Sequence, residues 1–127
     1  MCRGEIFLVD FQKQIGSEQA GLRPAVVVQN ETGNAFSPTT IVCPITSKTK
    51  TNVKTHVEIK ANEGDIKLDS IILCEQIRVV DKQRLKRKLG EIKNKEIIEE
   101  INKKLMISLG VLRWRTLWIT YHLQRRH

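Results

Sequence analysis

Arg23 stands where a polar, glycine-punctuated loop, Gly16-Ser17-Glu18-Gln19-Ala20-Gly21-Leu22, meets the β-branched run Ala25-Val26-Val27-Val28. The proline that follows Arg23 has no amide proton, which suits the first residue of a strand or a sheet edge. It also biases Arg23 toward extended backbone. The guanidinium is therefore fixed at a loop–strand junction, with the side chains of Ser17, Glu18 and Gln19 beside it. A rigid fork of donors in that company suits an anionic, hydrogen-bonding ligand such as a phosphate. On the residues alone, a surface ion pair between Arg23 and Glu18 is the competing explanation.

Other residue types that carry chemistry offer less. His56 falls mid-strand on a polar face, and His122 and His127 lie in the C-terminal tail, so general acid–base work by histidine has no strong candidate. Cys2, Cys43 and Cys74 are odd in number and scattered, without a CxxC pair or a Cys/His cluster. That spacing argues against a disulfide framework and a zinc site and for a reducing compartment. Cys43 and Cys74 each sit inside an apolar run and read as small buried hydrophobes.

The elements that must position these groups follow from pattern. Apolar, β-leaning runs predict strands over 5–10, 24–30, 39–47, 55–60 and 69–80. In 55–60 the alternation is clean, with Thr55, Val57 and Ile59 on one face and His56, Glu58 and Lys60 on the other. Polar stretches at 11–23, 31–38, 47–54 and 61–68 read as connectors. Asp81 fits the cap of a short turn through Leu85, and Asn94 the cap of a longer helix. Ile97, Ile101, Leu105 and Leu109, widened by Ile98, make that helix's apolar stripe, with Gly110 as its stop. Many short strands and one terminal helix, without βαβ alternation, predict a mainly β (α+β) fold. The expected form is a small, curved antiparallel sheet or barrel with the C-terminal helix packed on it.

At 127 residues the chain is one domain with room for a real core. No run of eighteen apolar residues exists to span a membrane, and the N-terminus carries an acid within its apolar stretch, unlike a signal peptide. The net charge of +8 is unevenly placed. Nine Lys/Arg face ten Asp/Glu through residue 81, nine face four over 82–112, and the tail adds four Arg and no acid. A basic excess of this kind favours an acidic partner. The densest run, Lys82 to Lys88, could guide a nucleic acid or an acidic protein segment, or could be an edge strand that Lys keeps from pairing. In 113–127, Trp114, Trp118 and Tyr121 at i, i+4, i+7 would suit an amphipathic partner or membrane-surface helix, or an extension without function.

Five blocks, in unbroken order from about Arg3 to about Leu112, carry a family resemblance. They are Arg3-Gly4-Glu5, GSEQAGLRP (16–24), VVVQNETGN with SPT (26–34, 37–39), PITS (44–47) and LCEQIRVVDKQRL (73–85). Together they resemble the MazF/PemK toxins, ribosome-independent mRNA endonucleases of toxin–antitoxin pairs. The resemblance implies an SH3-like barrel, a symmetric homodimer, a cytoplasmic enzyme without cofactor or metal, and inhibition by a cognate MazE-like antitoxin. It implies that Arg23 and Thr46 are the catalytic pair. It also implies that the loop residues Ser17, Glu18 and Gln19 and the pair Glu75-Gln76 lie beside the RNA.

Reading unstacked bases needs side chains with both donors and acceptors, which these residues supply, as do Asn30 and Asn34. Glu75 and Gln76 cannot face one side of a regular strand, so a bend or bulge would be needed there for both to touch RNA. Asn34 fits turn chemistry in Thr32-Gly33-Asn34 equally well. The nuclease domain is expected over 1–112, with 113–127 departing from the family pattern as an extension. The competing readings are a CcdB-like toxin of the same architecture, which would inhibit gyrase by protein binding, and an RNA-binding module without catalysis.

Overall fold

The computed structural model describes residues 1–12, 15–16, 20–47 and 53–112. Ser17, Glu18, Gln19 and the 113–127 extension fall outside the described residues. Seven strands form one curved antiparallel sheet: β1 (Glu5–Asp10), β2 (Leu22–Val27), β3 (Thr39–Thr46), β4 (His56–Ile59), β5 (Ser70–Leu73), β6 (Arg78–Asp81) and β7 (Leu85–Glu91). Their order is β4-β5-β3-β2-β1-β7, with β6 also on β3. The eight-residue β3 serves two neighbours, pairing Thr39–Val42 with β6 and Ile45–Thr46 with β5. The stretch expected as one strand over 69–80 is split by a 3₁₀ turn at Cys74–Gln76. That turn is the bend which the adjacent Glu75 and Gln76 would need for both to touch RNA.

The sheet buries apolar residues on both faces, which is why β2 reads as an unbroken hydrophobic run. Ile6, Val26, Cys43 and Ile72 join Ile101 in one core; Val9, Phe11, Ala25, Val27, Val42 and Val80 form the other. Arg78 lies over the Phe11 ring, 4.7 Å from its centroid, a favourable cation–π geometry. Alternation in β4 holds, with Val57 and Ile59 buried and Glu58 exposed. Cys43 and Cys74 lie together in the first core, where a thiol–thiol hydrogen bond and burial push the Cys43 thiol far above its ordinary value.

Helix α2 (Lys95–Ser108) is capped by Asn94, whose side chain accepts from the Glu96 amide at 2.9 Å. Ile97, Ile98, Ile101 and Leu105 face the first core. The predicted stripe ends there. Leu109 is the C-cap and 61% exposed, because Gly110 (φ +73°) turns the chain away in a Schellman arrangement. The amides of Gly110 and Val111 reach the Ile107 and Met106 carbonyls at 3.0 and 2.9 Å. No helix of the described residues is long and apolar enough to cross a membrane.

Two expectations about connectors are corrected. Residues 31–38 contain a short helix, α1 (Glu31–Phe36), capped by the Asn30 side chain on the Gly33 amide at 2.8 Å. Pro24 is neither at the first residue of a strand nor on an edge; it is the third residue of β2, a central strand. It is tolerated because the β3 ladder on that side runs only over Ala25–Val27, so Pro24 lies just past it while still paired with Leu8 of β1.

The end strands β4 and β7 are bridged by packing, through the 3₁₀ turn Glu63–Asp65 set against β7. Gly90 allows this contact. A Cβ there would lie 1.9 Å from the Gly64 carbonyl oxygen, and Gly64 itself has φ +60° with Ile6 close behind it. The turn that follows β4 thus packs on β7, while the curved sheet itself stays unclosed.

Candidate functional site

Register brings the two candidate catalytic residues together. β2 and β3 pair Ala25 with Pro44, Val26 with Cys43 and Val27 with Val42. Arg23 and Thr46 each lie two residues beyond the outermost of these pairs, Ala25 with Pro44, on adjoining strand ends, and both line one cavity of about 460 Å³. Arg23 is half-buried, and its Nε donates to the Ala20 carbonyl at 2.9 Å, which anchors the base of the guanidinium to the loop. Thr46 is the last residue of β3 and also half-buried. The pair thus presents cationic donors and a hydroxyl at a partly desolvated rim, where charge interactions are stronger than in open water.

The cavity holds residues that sequence reasoning did not single out. It is lined too by Arg87 and Leu89 on β7 and by the stretch from Asp65, the last residue of the Glu63–Asp65 turn, through Lys67. Buried Ile66 anchors that segment in the core and leaves Asp65 and Lys67 exposed on either side of it. Three cations therefore face one acid. Arg87 carried a signal, as part of the basic run 82–88. Lys67 carried none, because only the folding of the 61–68 connector onto β7 brings it in.

The other expected site residues do not gather there. Glu75 and Gln76 line a separate pocket of about 310 Å³ with Ile77 and Arg78. Both carboxylate oxygens of Glu75 are engaged: Oε2 with His56 Nε2 at 2.8 Å, and Oε1 with Thr55 Oγ1 at 3.2 Å. Asn34 is taken by the fold. It is buried; its Oδ1 accepts from Thr40 Oγ1 at 2.8 Å and Gln29 Nε2 at 3.3 Å, and its Nδ2 donates to the Gln29 carbonyl and to Glu31. These four bonds leave no capacity for a base. Neither a turn nor an open reader is seen at Asn34, which lies inside helix α1 with Asn30 as the cap of the same helix. Among the described residues, no group of three or more His, Cys, Asp or Glu stands close enough to hold a metal ion.

The basic run 82–88 is likewise divided by the fold. Lys82 Nζ donates to the Asn34 carbonyl at 2.5 Å, and Lys88, itself half-exposed, pairs with the buried carboxylate of Glu5. Burial alone would raise the Glu5 carboxyl, but bonds from Lys88 and the Cys2 amide outweigh it and hold it below its ordinary value. Lys86 and Arg87 have no ion pair or side-chain hydrogen bond among the described residues.

A family model described as PemK-like, MazF-like toxin of type II toxin–antitoxin system matches residues 2–109. The chain belongs to this family. The matched span contains every described site residue of this toxin. It is 47% identical, over 112 residues, to Endoribonuclease MazF of Staphylococcus saprophyticus, covering 87% of this chain and 92% of that protein. Among solved structures, MazF of Deinococcus radiodurans superimposes on the toxin with a TM-score of 0.73 and 28% identity, over 87% of this chain and 96% of that one. A MazE–MazF crystal structure from the same organism gives a TM-score of 0.69 and 27% identity, over 88% and 97%.

Proposed function

We propose that this endoribonuclease toxin cleaves single-stranded mRNA at a short sequence motif, with Arg23 and Thr46 acting on the scissile phosphate and no metal ion required. The observation that carries this reading is the convergence of Arg23 and Thr46 in one cavity. In the reaction, the ribose 2′-oxygen attacks phosphorus and loses its proton. The P–O5′ bond breaks, the 5′-oxygen gains a proton, and the products are a 2′,3′-cyclic phosphate and a 5′-hydroxyl. Arg23 stabilises the charge that builds on the phosphorane oxygens, for which a fixed guanidinium is well suited and proton abstraction is not. The Thr46 hydroxyl donates to the same phosphate.

Ser17, Glu18, Gln19 and Gln76 read the bases, with Asn30 and Glu75 at the margin of the RNA path. The activity belongs to residues 1–112, with 113–127 an extension. The toxin acts in the cytoplasm as a homodimer and is silenced by a MazE-like antitoxin. The antitoxin partner is supported by the MazE–MazF structure, and the nuclease is favoured over a CcdB-like gyrase inhibitor by the relative named Endoribonuclease MazF.

The test is a long RNA incubated with purified toxin in EDTA, with the cut ends mapped. Wild type should cut at one short motif. Arg23→Ala and Thr46→Ala should each lose roughly 10²–10³ in rate, as removal of one preorganised donor does, with unchanged thermal midpoints. Inhibition of gyrase without RNA cutting, or full activity in either variant, would overturn the proposal.

A further inference from the structure

The cavity contains more positive charge than one scissile phosphate needs, and the surplus has a defined place. Leu8 of β1 is flanked by Pro24 of β2 on one side and Arg87 of β7 on the other. Residues directly opposite share a face, so Arg87 lies on the face of Pro24, two strand spacings or ~10 Å across the sheet. Arg23, one residue earlier and opposite Val9, alternates to the other face, and it is the shared cavity at the strand ends that sets the two cations together. Lys67 approaches from the facing wall, held by buried Ile66 and by the close packing of Gly64 on Gly90. Leu89, two residues along β7, lines the same cavity, whereas Lys88 between them pairs with Glu5.

We infer that Arg87, with Lys67 opposite, forms a second anion clamp that holds the RNA phosphate next to the one at Arg23 and Thr46. The inference rests on the proposed function, since it assigns a second subsite to the same cavity. Arg87 touches no reacting atom in this scheme. It fixes the position of the strand, and its contribution is to substrate affinity.

The experiment uses an RNA spanning the mapped cut site, with 2′-deoxyribose at the cut nucleotide so that it binds without reacting. For Arg87→Ala, affinity should fall about tenfold. The slope of log K against log salt should fall by ~0.7, the value for one phosphate contact on a single strand. On cleavable RNA, KM should rise with kcat little changed, whereas Arg23→Ala loses kcat. Arg87→Lys keeps the charge and should retain most of the affinity and the salt slope. Arg87 is exposed, so thermal midpoints report folding independently.

Unchanged affinity and salt slope in a folded Arg87→Ala protein that still cuts RNA would overturn this inference and leave the proposed function standing. So would loss of binding to an acidic antitoxin peptide alone. A wild type that cuts no RNA would instead overturn the proposed function.

Discussion

Glu5 shows how a residue outside the cavity supports it. Its carboxylate ties the Cys2 amide and Lys88 together at the start of β1, beside the strand that carries Arg87. The folded-state carboxyl is held below the ordinary value of 4.5. Its contribution to stability is therefore complete above that value and is lost as pH falls through the folded-state value. Glu5→Gln should be less stable than wild type at neutral pH, and the difference should close in acid. Unfolding midpoints measured from neutral pH downward test this. A constant gap through the acid range would mean that Glu5 acts by packing alone. At the same scale, Arg23 differs from the lysines of the basic run 82–88. Lys82 and Lys88 have partners in the fold, whereas the Arg23 fork is anchored by Nε alone.

Among the elements, the Glu63–Asp65 turn decides the shape of the site. It lies across β7, bridges the end strands and supplies the wall that contains Lys67. The contact depends on Gly90 having no side chain. Gly90→Ala should push the turn off β7, at a cost of ~1–3 kcal/mol by analogy with overpacked cores. It should weaken RNA binding without removing a polar group. Urea unfolding and RNA affinity measured together test this, and a variant of normal stability and affinity would show that the turn has room to move. The run 69–80 was legible as strand but not its break at Cys74–Gln76, which the Glu75-Gln76 pair demands only if both residues are to touch one RNA strand. Helix α1 was not legible, since a six-residue helix carries too little periodicity to stand out from a connector with Thr-Gly-Asn in it.

Across the molecule, a nearly neutral body carries a basic C-terminal third. If RNA and an acidic antitoxin segment both use that positive surface, as the proposed function implies, they should compete. Inhibition should weaken as salt rises, because exposed charges are screened beyond about 8–10 Å at physiological ionic strength. It should persist in part through apolar anchors on the antitoxin. Titrating antitoxin against a non-cleavable RNA at two salt concentrations measures this, and simultaneous, independent binding of both ligands would sink the shared-surface scheme.

Local pattern and ordered motifs were enough for the strands through residue 80, the capped terminal helix, the burial of Cys43 and Cys74 and the family. Strand β7, rich in Lys and Arg, was only one of the alternatives for the basic run. Arg23 was legible too, since Pro24 and the loop before it constrain its backbone directly. Thr46 was legible only through the family resemblance, and nothing in PITS marks it as facing Arg23. That meeting is set by the β2–β3 register, which two strands decide jointly. The tertiary structure also decided which polar residues remain available. Asn34 and Glu75 have the chemistry to read a base, yet one is fully bonded within α1 and its surroundings and the other is engaged by β4 and the residue before it. Arg87 and Lys67 share a cavity because a turn far from β7 in sequence folds onto it. Contacts between distant segments have no local signature, and only the folded chain reveals which charges end up side by side.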